Sequence, residues 1–326
     1  MKLVAGLAVG RWEFALCIFL VGVIVLNSFL SPYFLDVYNL IDSTFSFSEK
    51  ALIALPMAFL IIAREIDVSV ASVVAISAVL MGVAADAGAS TLGMVAVGLL
   101  VGSAAGAING AIVCVLGVHS IVVTIGTMSL YRGIAVLIAG DEAFTGFPRA
   151  FQWFGRHYLG GILPFEFLLY LVATVVFGVV LHFTTFGRRV FALGLNPAAS
   201  VHSGITRNRI RIALFTLTGF MCGIAAILLS SRLGSVRLNI ATGWELQVIT
   251  MVVLGGVSIA GGTGSIVGVT LAVFLIGLLT FGLSLVNIPG IVMNIYVGLM
   301  LIGAIGIPKL YGMVEGRLAA RAAENR

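Results

Sequence analysis

The side chains that most often carry catalysis are few in this sequence and poorly placed for it. His119, His157, His182 and His202 are scattered, and Cys17, Cys114 and Cys222 stand singly in apolar runs. They assemble no Ser-His-Asp arrangement, no His-Glu-x-x-His pair and no Cys/His cluster. We therefore expect no catalysis, no metal site and no cofactor held by this chain. One stretch, Leu254 to Gly268 (LGGVSIAGGTGSIVG), invites a phosphate-loop reading. It fails, because such a loop needs Gly-Lys-Ser/Thr, and Lys2, Lys50 and Lys309 each follow a residue other than glycine. Those glycines are expected instead to let a broken helix or tight turn pass close to its neighbours.

What remains is a chemistry of contact. From Phe186 to Ile212 runs FGRRVFALGLNPAASVHSGITRNRIRI, with Arg188, Arg189, Arg207, Arg209 and Arg211 and no acid among them. Asn196 before Pro197 is a helix start: asparagine caps the free amides, and proline at the first helical position loses no needed donor. Gly204 is the matching stop, since glycine adopts the left-handed conformation of a helix end without strain. The product is a helix of about two turns, about 10 Å long. A plain basic loop is the alternative; the capped helix favours a docking element.

A second set is polar and mostly uncharged. Thr124, Thr127 and Ser129 would suit the wall of a path for a neutral hydroxylated solute, or simply bond their own helix carbonyls. Asn109 reads as an interhelical hydrogen bond. The turn Arg64-Glu65-Ile66-Asp67-Val68-Ser69 is an interfacial anchor or a gate. With Gln247 and Thr250, the candidate translocation path is Asp67, Ser69, Asn109, Thr124, Thr127, Gln247 and Thr250.

The elements that must position these residues are membrane spans. A chain of 326 residues that is 60% hydrophobic and 10% charged, with mean hydropathy +1.18, is no soluble domain, in which about a quarter of residues are charged. Apolar stretches able to cross about 30 Å of hydrocarbon, or nearly so, fall near 14–30, 47–63, 68–85, 91–116, 119–139, 162–183, 212–231, 245–260, 264–286 and 289–308. The fold expected is all-α and polytopic, with about ten transmembrane helices in one transmembrane domain over 1–326 and a cytoplasmic loop at about 184–211. The run after Lys2 and Arg11 lacks a cleavage site and reads as a retained first span. The boundary at 63–68 is short, and 245–264 fits a full span or a broken one.

Charge supports this arrangement. With both ends inside, the cytoplasmic segments hold Lys2, Arg11, Arg64, the five loop arginines, Lys309, Arg317, Arg321 and Arg326. Lys50, Arg132, Arg149, Arg156, Arg232 and Arg237 fall outside, the smaller share, as the positive-inside rule expects. The net charge of +5 thus reflects orientation rather than nucleic-acid binding. Gly98, Gly102, Gly106 and Gly110 form a ridge for close helix packing. The external segment 140–163, rich in Phe and Trp with Asp141 and Glu142, is expected to lie at the bilayer surface, with reception of a soluble partner as the alternative.

Taken together, the segments IDVSVAS (66–72), Asn109-Gly110, TIGTMSLYRG (124–133), GRRVFALGLNPAASVHSGI (187–205) and Leu254 to Gly268 resemble, in order and over nearly the whole chain, the ribose-type permease subunits of bacterial ABC sugar importers. The look is closest to the rhamnose and autoinducer-2 permeases. The resemblance implies a core of two permeases, homo- or heterodimeric, two cytoplasmic ABC ATPases that use the ATP, and an extracytoplasmic sugar-binding protein. It also implies residence in the bacterial inner membrane. It makes the short helix the coupling helix, with Asn196, Pro197, Ala199, Ser200, Ser203, Gly204, Ile205 and Arg207 as its ATPase-coupling residues. Where such permeases commonly read Gly-Gly-Ile-Asp-Leu-Ser-Val-Gly, this chain has Arg64-Glu65-Ile66-Asp67-Val68-Ser69-Val70-Ala71, a departure that points to a heterodimer. The rival is an ion-coupled secondary transporter of a small neutral solute, which would want ionisable groups at mid-membrane.

Overall fold

The computed structural model describes residues 10–140, 143–237 and 239–306; Lys2, Asp141, Glu142, Lys309, Arg317, Arg321 and Arg326 lie outside the described residues. Helices follow in the order α1 (Arg11–Leu30), α2 (Val37–Ser43), α3 (Phe45–Ile62), α4 (Val70–Asp86), α5 (Thr91–Leu116), α6 (Ser120–Ala139), α7 (Trp153–Arg156), α8 (Phe165–Phe183), α9 (Thr185–Leu195), α10 (Pro197–His202), α11 (Arg207–Leu233), α12 (Trp244–Leu254) and α13 (Ile266–Leu285). An apolar helix α14, Gly290–Gly306, comes last. A two-residue hairpin, β1 (Tyr158–Leu159) with β2 (Leu163–Pro164), is the sole sheet among the described residues.

Each of the ten apolar stretches contains a helix here. Among the described residues, seven are long and apolar enough to cross a membrane. α12 is the exception in kind: its 11 residues rise only about 17 Å. The chain continues beyond it as a glycine-rich turn, so 245–264 is a short helix plus a turn rather than one full span. Two bonds hold this turn to the bundle: Gly262 donates its N–H to the Ile62 carbonyl at 2.8 Å, and the Trp12 indole donates to the Leu254 carbonyl at 2.9 Å, while Ile259, Ala260 and Thr263 are exposed.

α3 is the central post. It is apolar on all sides, and every residue from Phe47 to Ile62 except Lys50 is buried. A helix of that pattern has no lipid or water face and must be enclosed; α8, α11, α12 and α13 enclose it. α1 is the opposite case. Phe14, Ile18, Phe19, Val25 and Phe29 are exposed, the surface a peripheral helix offers to lipid tails.

The glycine ridge of α5 packs on α11. A Cβ at Gly102 would strike the Gly219 carbonyl, one at Gly106 the Phe215 carbonyl, and one at Gly110 would lie 3.0 Å from Ile212 Cα. α11 answers with its own glycines, Gly219 and Gly223, against the backbone of Gly102 and Gly98. The helices thus touch backbone to backbone, the packing that drives association in lipid.

Two segments between the long helices are folded against the bundle. Residues 31–49 hold α2, capped by Asp36, whose carboxylate accepts from the Asn39 amide at 3.0 Å. The 140–163 segment folds onto α11 rather than lying out along the bilayer: Phe147 and Phe151 are buried, Phe144 bridges Val236, and the Ser231 hydroxyl donates to the Phe151 carbonyl at 2.7 Å.

Candidate functional site

The short helix is built as its residues dictate. The Asn196 side chain accepts from the Ala199 amide at 3.0 Å. At the far end Gly204 has φ +78°, and the Ile205 amide reaches back to the Ser200 carbonyl at 3.1 Å, the six-to-one closure of a left-handed helix stop. Ser200 is buried and Ile205 packs against the core, while Ala198, Ala199, His202 and Ser203 are exposed. Against the C-terminal end lies an open cavity of about 530 Å³ lined by Gly204 to Arg209. The result is a small rigid knob with one anchored face and one free face.

Its flanks differ from the expected loop. Residues 185–195 form the helix α9, whose side chains Val190 and Leu193 are buried while Arg188 and Arg189 are exposed; two adjacent arginines disguised its apolar face. Arg207 and Arg209 are also exposed, but Arg211 is buried. It forms an ion pair with Glu65 at 2.5 Å, so it is removed from the set of free loop arginines.

Behind the knob sits the polar turn between α3 and α4. Arg64 takes φ +65°, a conformation that side chains rarely adopt. Its Nε donates to the Gly194 carbonyl at 2.6 Å and its Nη2 to the Leu195 carbonyl at 3.2 Å. Two residues on from Glu65, the Asp67 carboxylate accepts from the Ser69 amide at 2.9 Å and the Ser69 hydroxyl at 2.6 Å. Asn109 donates to Ser69 Oγ at 2.8 Å, and Tyr131 donates to Asn109 Oδ1 at 3.1 Å. Ile66 ties the turn to α6: its N–H donates to Ser120 Oγ at 3.1 Å, and its carbonyl accepts from the Thr124 hydroxyl at 3.3 Å. A buried network satisfied in this way is rigid and specifies one arrangement.

The candidate path residues therefore separate. Asp67, Ser69, Asn109 and Thr124 come together in this closed network. Thr127 is buried beside it, its hydroxyl on the Thr124 carbonyl at 3.4 Å. Thr250 is buried on α12 and bonds its own helix, at the Leu246 carbonyl, at 2.6 Å. Gln247 is elsewhere, in a polar cavity of about 390 Å³ that Asn39, Asp42, Lys50 and Ser284 also line. There Lys50 donates to Gln247 Oε1 at 2.9 Å, and Gln247 donates to Asn294 at 3.2 Å. Tyr131 and the Arg64 and Glu65 contacts escaped sequence reasoning; the one available signal was a charged pair standing where glycines are usual.

The structure is a polytopic helical bundle that presents a capped helix between two helical flanks. The family described as "Branched-chain amino acid transport system / permease component" matches residues 39–305, and the chain belongs to it, as a non-catalytic permease component of an ABC importer. The resemblance read from the sequence is borne out. More particularly, the autoinducer 2 import system permease protein LsrD of Photorhabdus temperata is 36% identical over 300 residues, 90% of this chain and 90% of that one. LsrD of Escherichia coli strain K12 is 36% identical over 297 residues, 89% of this chain and 90% of that one. LsrD of Shigella flexneri matches to the same extent. No solved structure matches the chain. Components of this class work with ATPase and binding-protein partners.

Proposed function

We infer that the chain is one of two permease halves carrying a sugar-like solute of the autoinducer-2 type inward across a bacterial cytoplasmic membrane, with both termini on the cytoplasmic side. The second half is another permease, and the charged pair Arg64-Glu65 favours a paralogue over a copy. ATP is used on separate ATPase chains, and this chain binds no cofactor. Asn196, Pro197, Ala199, Ser200, Ser203, Gly204, Ile205 and Arg207 form the element that docks the ATPase. The observation that carries this reading is the capped knob at Pro197–His202, held on one face and free on the other. ATP-driven closure of the ATPases would displace the knob as a unit, and helices packed behind it would rock between two states; the free energy comes from contacts that differ between those states. The exposed Arg188, Arg189, Arg207 and Arg209 would steer the knob toward an acidic partner surface.

Two measurements test this. Gentle purification with identification of every co-purifying chain should recover an ATPase, a second permease and a binding protein; solute uptake that persists in ATP-depleted vesicles under an ion gradient would sink the reading. Gly204→Val should bind the ATPase but hydrolyse ATP without matching transport. A side chain there meets open space, so the cost is the left-handed backbone alone, about 1–2 kcal/mol or more for a β-branched residue. Full uptake with normal ATPase binding in that variant would show that the helix stop carries no force.

A further inference from the structure

Arg64 and Glu65 are neighbours in sequence, yet they hold opposite flanks of the knob. Arg64 grips the last carbonyls of α9, Gly194 and Leu195, just before Asn196. Glu65 pairs with Arg211 in the first turns of α11, just past Ile205. The same turn passes directly into the Ile66, Asp67 and Ser69 bonds that reach α5 and α6. We propose that Arg64 and Glu65 are a two-sided strap that makes the α3–α4 turn move with the docking helix, so that displacement of the knob is delivered to the buried Asp67–Ser69–Asn109 network.

Three features argue for this over passive packing. The guanidinium satisfies carbonyls at a helix C-terminus, where a cation is favoured and where a rigid fork fixes direction as well as distance. Arg64 is exposed and sits at φ +65°, so glycine would serve the backbone better there; the side chain is kept against local conformational preference. The Glu65–Arg211 pair is buried, with side-chain exposures of 5% and 8%, and a buried pair resists sliding because separating it strands both charges. With both flanks held, the knob has no hinge of its own relative to the turn. Arg64 and Glu65 are thereby assigned as positioning residues, which act through the turn.

The strap rests on the docking reading, and the experiment separates the two. The permease is assembled with its ATPase, second permease and binding protein in lipid nanodiscs. Three quantities are read: basal phosphate release, its stimulation by the binding protein, and the change in amide hydrogen exchange over residues 66–72 on adding MgATP. Arg64→Gly relieves the backbone and should assemble and melt like the parent or better, with basal release unchanged. Its stimulation should fall about fivefold, at the low end of the roughly 5- to 150-fold range of couplings between sites, and the exchange response at 66–72 should shrink with it. Glu65→Gln combined with Arg211→Gln removes the other half of the strap without stranding a charge and should move both readouts the same way. A role in stability alone predicts the opposite pattern for Arg64→Gly, with stimulation and exchange response intact; that result overturns the strap. Failure of the parent chain to hold an ATPase would overturn the docking reading and the strap together.

Discussion

Gly106→Leu is expected to leave almost no folded permease in the membrane. The Cβ alone would clash with the Phe215 carbonyl oxygen, with Gly219 Cα 3.1 Å away. Overpacking against flexible side chains costs about 1–3 kcal/mol; here the obstacle is the backbone of a 27-residue helix, which yields only as a whole. α5 and α11 would separate along the ridge and lose the close contact that substitutes in lipid for a hydrophobic driving force. Gly133→Leu is the matched control, because a side chain at Gly133 meets nothing within 4 Å. Membrane yield and detergent melting temperature should collapse for Gly106→Leu and hold for Gly133→Leu. Equal behaviour of the two would mean that the ridge does not hold the helices together.

Arg232→Met should be the next most damaging change. Glu49 is wholly buried, and Arg232 meets its carboxylate as a fork, Nε at 2.9 Å and Nη2 at 3.0 Å. Removing the arginine leaves a buried carboxylate without its hydrogen-bonded counter-charge, Lys50 being the cation that remains near it, which costs up to about 3–5 kcal/mol. Removing both charges should restore most of the loss, since apolar replacement of a buried pair is often neutral. The prediction is therefore a melting temperature that falls for Arg232→Met and recovers for Glu49→Met with Arg232→Met. Failure of the double variant to recover would show that the pair contributes more than mutual neutralisation.

The features legible in the sequence were those written locally. Asn196-Pro197 and Gly204 specify their helix within nine residues, and the α5 ridge announces itself by spacing. Long apolar runs mark where helices lie because lipid leaves a backbone few alternatives. What stayed hidden depends on partners distant in the chain. Nothing near Arg64 names Gly194 and Leu195, which lie 130 and 131 residues away. Arg211 reads as one of five loop arginines until Glu65 is placed beside it. The aromatic segment at 140–163 is amphipathic by composition, and composition does not say whether protein or lipid covers its apolar side; Phe151 under Ser231 decides that. Likewise Thr124 and Thr250 look alike as hydroxyls in apolar helices, yet one joins a network across helices and the other bonds only its own turn.

The enclosure of α3 has a consequence for how the protein is made. α3 is the second long apolar segment to leave the ribosome, but Arg232 follows Glu49 by 183 residues. At about 5–20 residues per second of synthesis, the carboxyl waits roughly 10–40 seconds for its counter-charge. During that interval the helix meant for the centre of the molecule has only lipid, insertion machinery or earlier spans around it. A chain interrupted before the end of α11 therefore carries an apolar helix whose Glu49 still lacks the arginine that forks onto it in the finished molecule.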